Sequence, residues 1–195
     1  MNYWDDYRPG YEDEAEESFW LHNEAKAIEW AKSVLCTDFQ ILDTETTGLG
    51  NKAEAVEIAI INREGETVFN QRIKPIIPIP SVATSIHGIS NKDVANAGFF
   101  HEWYPTIRLI LESRKTLIYN ADFDIRIINQ QAIMNDLPNI NFDAECVMNW
   151  YSQYYGDWNE YHQSYTWQRL PGGDHSALGD CRATLAVIKE MARGR

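Results

Sequence analysis

The stretch ILDTETTGLG, residues 41–50, ends an apolar run on two carboxylates one residue apart and then turns on glycine. A buried strand that closes on Asp43 and Glu45 has two readings. The acids are solvated turn residues, or they are held close because something positive sits between them. The rest of the chain has to choose between these, and it also has to supply the sheet that such a strand requires.

The apolar pattern supplies one. DFQILD reads as a central strand, AVEIAIINR as a second and TVFNQRIKP as a third, with REGE turning between the last two. FFHEWYPTIRLILESRK is mostly helical and leads into a fourth strand, TLIYNA. The next helix, DFDIRIINQQAIMND, has acids in its first turn, where the macrodipole favours them. A fifth short strand falls around INFDAE, and SALGDCRATLAVIKEMA closes the chain as an amphipathic helix. Three strands followed by alternating helix and strand predict an α/β fold, a mixed five-stranded sheet flanked by helices.

The 195 residues suit one compact domain. Ahead of the first strand, residues 1–36 form an acidic arm and a helix: the first 19 residues read as poorly ordered, and a helical pattern sets in from about Glu14 to Leu35. Residues 1–20 carry seven acidic side chains against Arg8 alone, half of the net charge of −12. Such acidity argues against non-specific nucleic-acid binding, which normally rests on Lys and Arg. Carboxylates that hold divalent cations escape that objection, because the metal site then meets phosphate. Cys36, Cys146 and Cys181 lie far apart with no CxxC pair, which argues against a zinc site or a disulfide framework and fits a reducing compartment. There is no basic, apolar leader and no apolar run of bilayer length, so the sequence reads as a soluble, cytoplasmic protein without a membrane partner.

In open α/β sheets, functional side chains gather where strands end and helices begin. The first strand delivers Asp43 and Glu45 there, TLIYNA ends just before Asp122 and Asp124, and the last helix carries Asp180 five residues after His175. Carboxylates that meet in this way repel and raise each other's pKa unless cations intervene. Mg²⁺ or Mn²⁺ suits all-oxygen ligands, and two such ions clamp the attacking and leaving oxygens of a phosphoryl displacement. An imidazole such as His175 is suited to take the proton of an attacking water.

The ordered set D43-T-E45-T-T-G, N120-A-D-F-D124 and H175-S-A-L-G-D180 resembles the three motifs of the DEDDh 3′-5′ exonucleases, and SIHGIS at residues 85–90 is similar to a segment between the first two motifs. The resemblance covers roughly residues 37–193, marking 37–195 as the exonuclease domain, and implies a ribonuclease H-like fold. It implies that Asp43, Glu45 and Asp180 hold one ion, that Asp43 and Asp124 hold a second, and that His175 is the general base. Thr46, Thr47, Gly48 and Leu49 would line the pocket for the terminal nucleotide, with backbone amides reaching its 3′ hydroxyl and Leu49 wedged against a base. Asn120 and Phe123 would shape the wall below Asp124. The implied activity releases nucleoside 5′-monophosphates from 3′ ends of single-stranded DNA or frayed duplexes. RNA trimming, and a non-catalytic 3′-end-binding role beside a polymerase or repair partner, are the alternatives.

Other residues receive plainer readings. Asp122 competes with Asp124 on spacing, but the N-x-x-F-D pattern selects Asp124. His22, His101 and His162 have no carboxylate at useful spacing, and His87 fixes a loop. The cysteines are packing residues. In WYSQYYGDWNEYHQSYTW, residues 150–167, Tyr151, Tyr154, Tyr155 and Trp158 fall on one helical face that packs, which leaves Trp150, Tyr161, Tyr165 and Trp167 as candidates for exposure and for stacking on unpaired bases. Lys74, Arg169 and Arg182 are candidates to steer phosphate, but each reads first as solvated surface.

Overall fold

The fold is that of a computed structural model that describes residues 11–195, with side chains from residue 23 onward. The chain runs α1 (Tyr11–Leu35), β1 (Phe39–Thr46), β2 (Ala55–Asn62), β3 (Thr67–Lys74), α2 (Ser81–His87), β4 (Gly98–Phe99) and α3 (Phe100–Leu111). It continues with β5 (Lys115–Ile118), α4 (Ala121–Met134), β6 (Ala144–Cys146), α5 (Val147–Tyr155), β7 (Trp158–Asn159), β8 (Ser164–Tyr165) and α6 (Ala177–Arg193).

The main sheet has the order β4-β3-β2-β1-β5-β6. β1 pairs antiparallel with β2 and parallel with β5, so it lies at the centre. Side chains alternate across a strand, and here both faces are covered. Ile41, Ala59, Ile61 and Leu117 join the core against α1, α5 and α6. Leu42, Ile58, Ile60 and Ile118 join the core against α3 and α4. That double burial is why β2 is an almost unbroken apolar run rather than an alternating one.

All five expected strands are present. A sixth, Gly98–Phe99, adds to the edge of β3, and it is only two residues long, too short for a periodic pattern to announce. The arm expectation divides: residues 1–10 lie outside the described residues, and the helix begins at Tyr11 rather than near Glu14. Ala27, Ala31 and Val34 of α1 are buried in the core beside α5 and α6.

The aromatic segment departs from its helical reading. Gly156, at φ 84°, stops α5, so Trp158 falls outside the helix. Tyr151 and Tyr154 pack as expected, but Tyr155 at the last turn is half exposed. Trp150, read as exposed, instead stacks on Trp30 of α1 at 5.2 Å between ring centroids, and both indole N–H groups donate to Glu145 Oε1, at 2.7 and 3.0 Å. Tyr165 is partly buried. Cys181 and Cys146 pack, whereas Cys36 is exposed and has no packing role.

Candidate active site

The alternation of β1 determines what its two acids can meet. Asp43 and Glu45 share the strand face of Ile41, which looks onto α6, and their carboxylate oxygens lie within 4.8 Å of those of Asp180. Thr44, on the opposite face, donates through its hydroxyl to Asp124 Oδ1 at 2.7 Å. One strand end therefore reaches the acid of α6 on one side and the acid of α4 on the other. A register shift between Glu45 and Thr46 leaves Val56 of β2 without a partner on β1 just beyond the acids.

The electrostatics record the crowding. Burial, then the charges of Asp124, Asp180, Glu45 and Glu57, push the Asp43 carboxyl well above its ordinary range. Burial, followed by Asp180, Glu57 and Asp124, raises Glu45 to about 8. Asp124 is raised to about 7, mainly by burial and against the hydrogen bond from Thr44. Asp180 is also raised by burial, opposed by the backbone N–H groups of Asp174 and His175. The donor set is hard oxygen with no thiolate or imidazole in it, and its charges repel. A hard divalent cation fits such a set on both counts.

The Asp180 loop is built tightly. The N–H groups of Asp174 and His175 donate to Asp180 Oδ1 at 2.9 and 3.2 Å. Ser176 caps α6 by accepting from Gly179 N–H at 3.1 Å, and its own hydroxyl donates to Asp174 Oδ1 at 2.7 Å. A Cβ at Gly179 would collide with the Asp174 carboxylate and lie 2.7 Å from Ser176 Oγ, so a side chain there would displace the Asp174–Ser176 hydrogen bond that braces the loop. His175 adopts φ 58°, an uncommon conformation for a non-glycine residue. Its imidazole is exposed and makes no hydrogen bond among the described residues. The structure thus brings Asp43, Glu45 and Asp180 together, sets Asp124 beside them through Thr44, and leaves the His175 ring on the rim. Asp122 is exposed, in contrast to buried Asp124.

Beside the acids lies a cavity of about 460 Å³, lined by Thr44–Leu49, Phe123, and Pro80, Val82, Ala83, Ile86 and His87 at α2. Thr46 and Thr47 are buried and Leu49 is 80% exposed at its mouth. Thr47 N–H is committed to Glu54 O at 2.8 Å, so of the expected backbone amides those of Gly48 and Leu49 stay open among the described residues. Gly48 has φ 156°, a conformation that side chains rarely allow. Arg126 donates to Leu49 O at 3.2 Å and lies over the Phe123 ring at 5.2 Å, holding one wall to the other. Asn120 does not line this cavity; its carbonyl accepts from Phe123 and Asp124 N–H as α4 begins.

One contributor escaped the sequence reading. Glu57 faces Glu45 across the β1–β2 ladder, accepts from Ala177 N–H at 3.0 Å and lies 3.4 Å from Arg72 Nη1, so it ties the start of α6 to the sheet. An acid inside the apolar run AVEIAII was the available signal. His87 fixes its loop as expected, and the structure adds how. Ile89 N–H donates to Nδ1 at 3.0 Å, which leaves the Nε2 proton for Thr46 O at 3.2 Å. Burial lowers the His87 pKa, which favours that neutral ring.

The exonuclease family model of the RNase T type matches residues 41–188, a span that contains all of these acids. The chain belongs to the DEDDh 3′-5′ exonuclease family. It is 36% identical over 181 residues to the uncharacterized exonuclease CP81 of Escherichia phage 186, covering 84% of this chain and 93% of that one. It is 31% identical over 119 residues to the DNA polymerase III subunit epsilon of Pasteurella multocida, 55% of this chain but 46% of that subunit. Exonuclease X, solved in complex with 5′ overhanging duplex DNA, superposes with a TM-score of 0.57 at 27% identity, over 80% of this chain and 91% of that chain. Exonuclease I of E. coli, solved with a 5cy-dA13 oligonucleotide, shares the fold at a TM-score of 0.63 and 18% identity, over 79% of this chain and 40% of that chain. As a member of this family the protein is a phosphodiester hydrolase with a ribonuclease H-like fold. No described helix is long and apolar enough to cross a membrane.

Proposed function

We propose that this exonuclease removes nucleoside 5′-monophosphates from the 3′ end of single-stranded DNA or frayed duplex ends, with residues 37–195 as its catalytic domain. The observation that carries the reading is the convergence of Asp43, Glu45 and Asp180 within 4.8 Å, with Asp124 coupled to the same strand end through Thr44. Asp43, Glu45 and Asp180 would hold one Mg²⁺ or Mn²⁺, and Asp43 with Asp124 a second. Such ions supply charge neutralisation for the scissile phosphate and its leaving oxygen.

The chain's own groups do the rest. The cavity of Thr46, Thr47, Gly48 and Leu49 receives the terminal nucleotide, and the amides of Gly48 and Leu49 are those available to its 3′ hydroxyl. Leu49, Val82 and Ile86 form an exposed apolar rim suited to a base face. Phe123 closes the opposite wall, and Asn120 acts by starting α4 so that Asp124 points inward. His175, on the rim, takes the proton of the attacking water into its imidazole as the new P–O bond forms and the bond to the upstream 3′ oxygen breaks. Exonuclease X and Exonuclease I, each solved with DNA, support DNA as the polymer, and the epsilon relatives support a polymerase or repair partner.

The test is a gel assay on 5′-labelled single-stranded DNA, single-stranded RNA and paired DNA, with Mg²⁺, Mn²⁺ or EDTA. A metal-dependent ladder shortening from the 3′ end on single-stranded DNA, absent in Asp43→Ala and Asp124→Ala proteins that keep their fold, is expected. Faster shortening of RNA moves the reading to an RNA-trimming enzyme. No shortening with any metal refutes the hydrolytic reading and favours a 3′-end-binding module.

A further inference from the structure

Between α5 and α6 the chain makes an aromatic-rich excursion that the reaction above does not use. β7 and β8 pair there, with Trp158 and Tyr165 edge to face at 5.2 Å. The chain then passes through Trp167, Gln168 and Arg169 to the loop that grips Asp180. Trp167 is 71% exposed, in a protein whose other described large aromatics mostly pack. Arg169 is exposed and enters none of the ion pairs among the described residues.

This stretch is pinned. Thr166 N–H donates to Asp157 O at 2.7 Å, and the Tyr119 hydroxyl donates to Gln168 O at 2.9 Å. Tyr119 directly follows β5, whose Ile118 pairs with Leu42, so it leaves the sheet at the same edge as Asp43. Gln168 is therefore anchored to the residue that follows β5, with Trp167 and Arg169 on either side of the anchor. Asp174, whose N–H grips Asp180, is six residues further on, a span of at most about 20 Å. An exposed indole and an unpaired cation thus sit on the segment that leads into the site.

We propose that Trp167 and Arg169 form a platform for the upstream part of the substrate strand: the indole stacks on an unpaired base 5′ of the scissile nucleotide, and the guanidinium meets a phosphate beside it. The inference rests on the exonuclease reading and deepens it. Single-stranded DNA is the ligand because unpaired bases offer their faces, and stacking of this kind tolerates any sequence. Arg169, exposed and outside the ion pairs among the described residues, is available to neutralise a backbone phosphate.

The test measures binding of 5′-fluorescein dT12 and dT3, each closed by a hydrolysis-resistant 3′-terminal linkage, in Mg²⁺ by anisotropy. Wild type, Trp167→Ala, Trp167→Phe and Arg169→Ala are compared, with circular dichroism to confirm that each is folded. The expected result is that Trp167→Ala lowers the ratio of dT12 to dT3 affinity about 5- to 100-fold, as loss of one stacked base does. Trp167→Phe restores most of it, and Arg169→Ala reduces the salt slope of log K for dT12 by about 0.7. Unchanged dT12 affinity in both alanine variants overturns the proposal. So does an equal loss for dT12 and dT3, which would mean that the loop acts only through Asp180. Hydrolysis of unmodified dT12 by wild type is scored separately, so a protein that binds with this length dependence but does not cut refutes the nuclease reading and keeps the platform.

Discussion

Glu45 shows at the scale of one residue how stability is set against function here. Its side chain is 9% exposed and its carboxyl is raised to about 8 by burial and by Asp180, Glu57 and Asp124. Replacing it with the neutral isostere removes that repulsion, so Glu45→Gln is expected to melt higher than wild type in EDTA at pH 8, by about 2–4 °C for each kcal/mol relieved, while losing hydrolysis. A lower Tm in EDTA would mean that the carboxylate is stabilised by something other than a cation. His175 makes the opposite kind of contribution. Its ring is exposed and makes no hydrogen bond among the described residues, so His175→Ala is expected to leave substrate affinity nearly intact and to lower turnover by about 10²–10⁴-fold, measured by single-turnover hydrolysis alongside equilibrium binding. Loss of affinity with turnover preserved would make it a binding residue. Asp43, Glu45, Asp124 and Asp180 were legible in the sequence because each stands at a strand end or in the first turns of a helix. Glu57 was not, because an acid within a strand that is otherwise core declares its partner only once Glu45 is seen across the ladder.

At the scale of elements, what the sequence concealed was short or depended on a distant partner. α2 is seven residues long, behind a proline-rich lead, and no periodicity can be read over two turns, yet it supplies one wall of the nucleotide cavity. The long elements β1, β2, α4 and α6 were legible because their apolar patterns run for about four turns or several pleats. Trp150 was misread for a different reason. Its burial depends on Trp30, 120 positions earlier, and on Glu145, which accepts from both indoles. That arrangement is the clamp by which α1 holds α5. Trp30→Ala is expected to cost about 2–4 kcal/mol, since it removes a stacked indole and one of the two donors to Glu145. The corresponding fall is about 5–15 °C in Tm, with hydrolysis well below the melt unchanged. A change under 1 kcal/mol in chemical denaturation would show that α1 is only loosely attached.

For the whole molecule, the acidic site couples folding to pH and to cation. Asp43, Glu45, Asp124 and Asp180 all have carboxyl pKa values raised by the fold, with Asp124 at about 7 and Glu45 at about 8. Between the unfolded values near 4 and these folded ones, the native state holds protons that the unfolded chain has released. Stability without metal therefore falls as pH rises from about 4 to about 8, the reverse of a protein whose carboxylates are paired with bases. Divalent cations compete with those protons. At 100 times its Kd each bound ion adds about 2.7 kcal/mol, or about 5–10 °C for a chain of this size. Thermal melts in EDTA and in Mg²⁺ at pH 5 and pH 8 check this: the Tm in EDTA should drop between the two, and the gain from Mg²⁺ should be several degrees larger at pH 8. A flat profile in EDTA with an equal Mg²⁺ gain at both pH values would mean that the acids are already charged in the native state, and the cluster would then not bind its cation in exchange for protons.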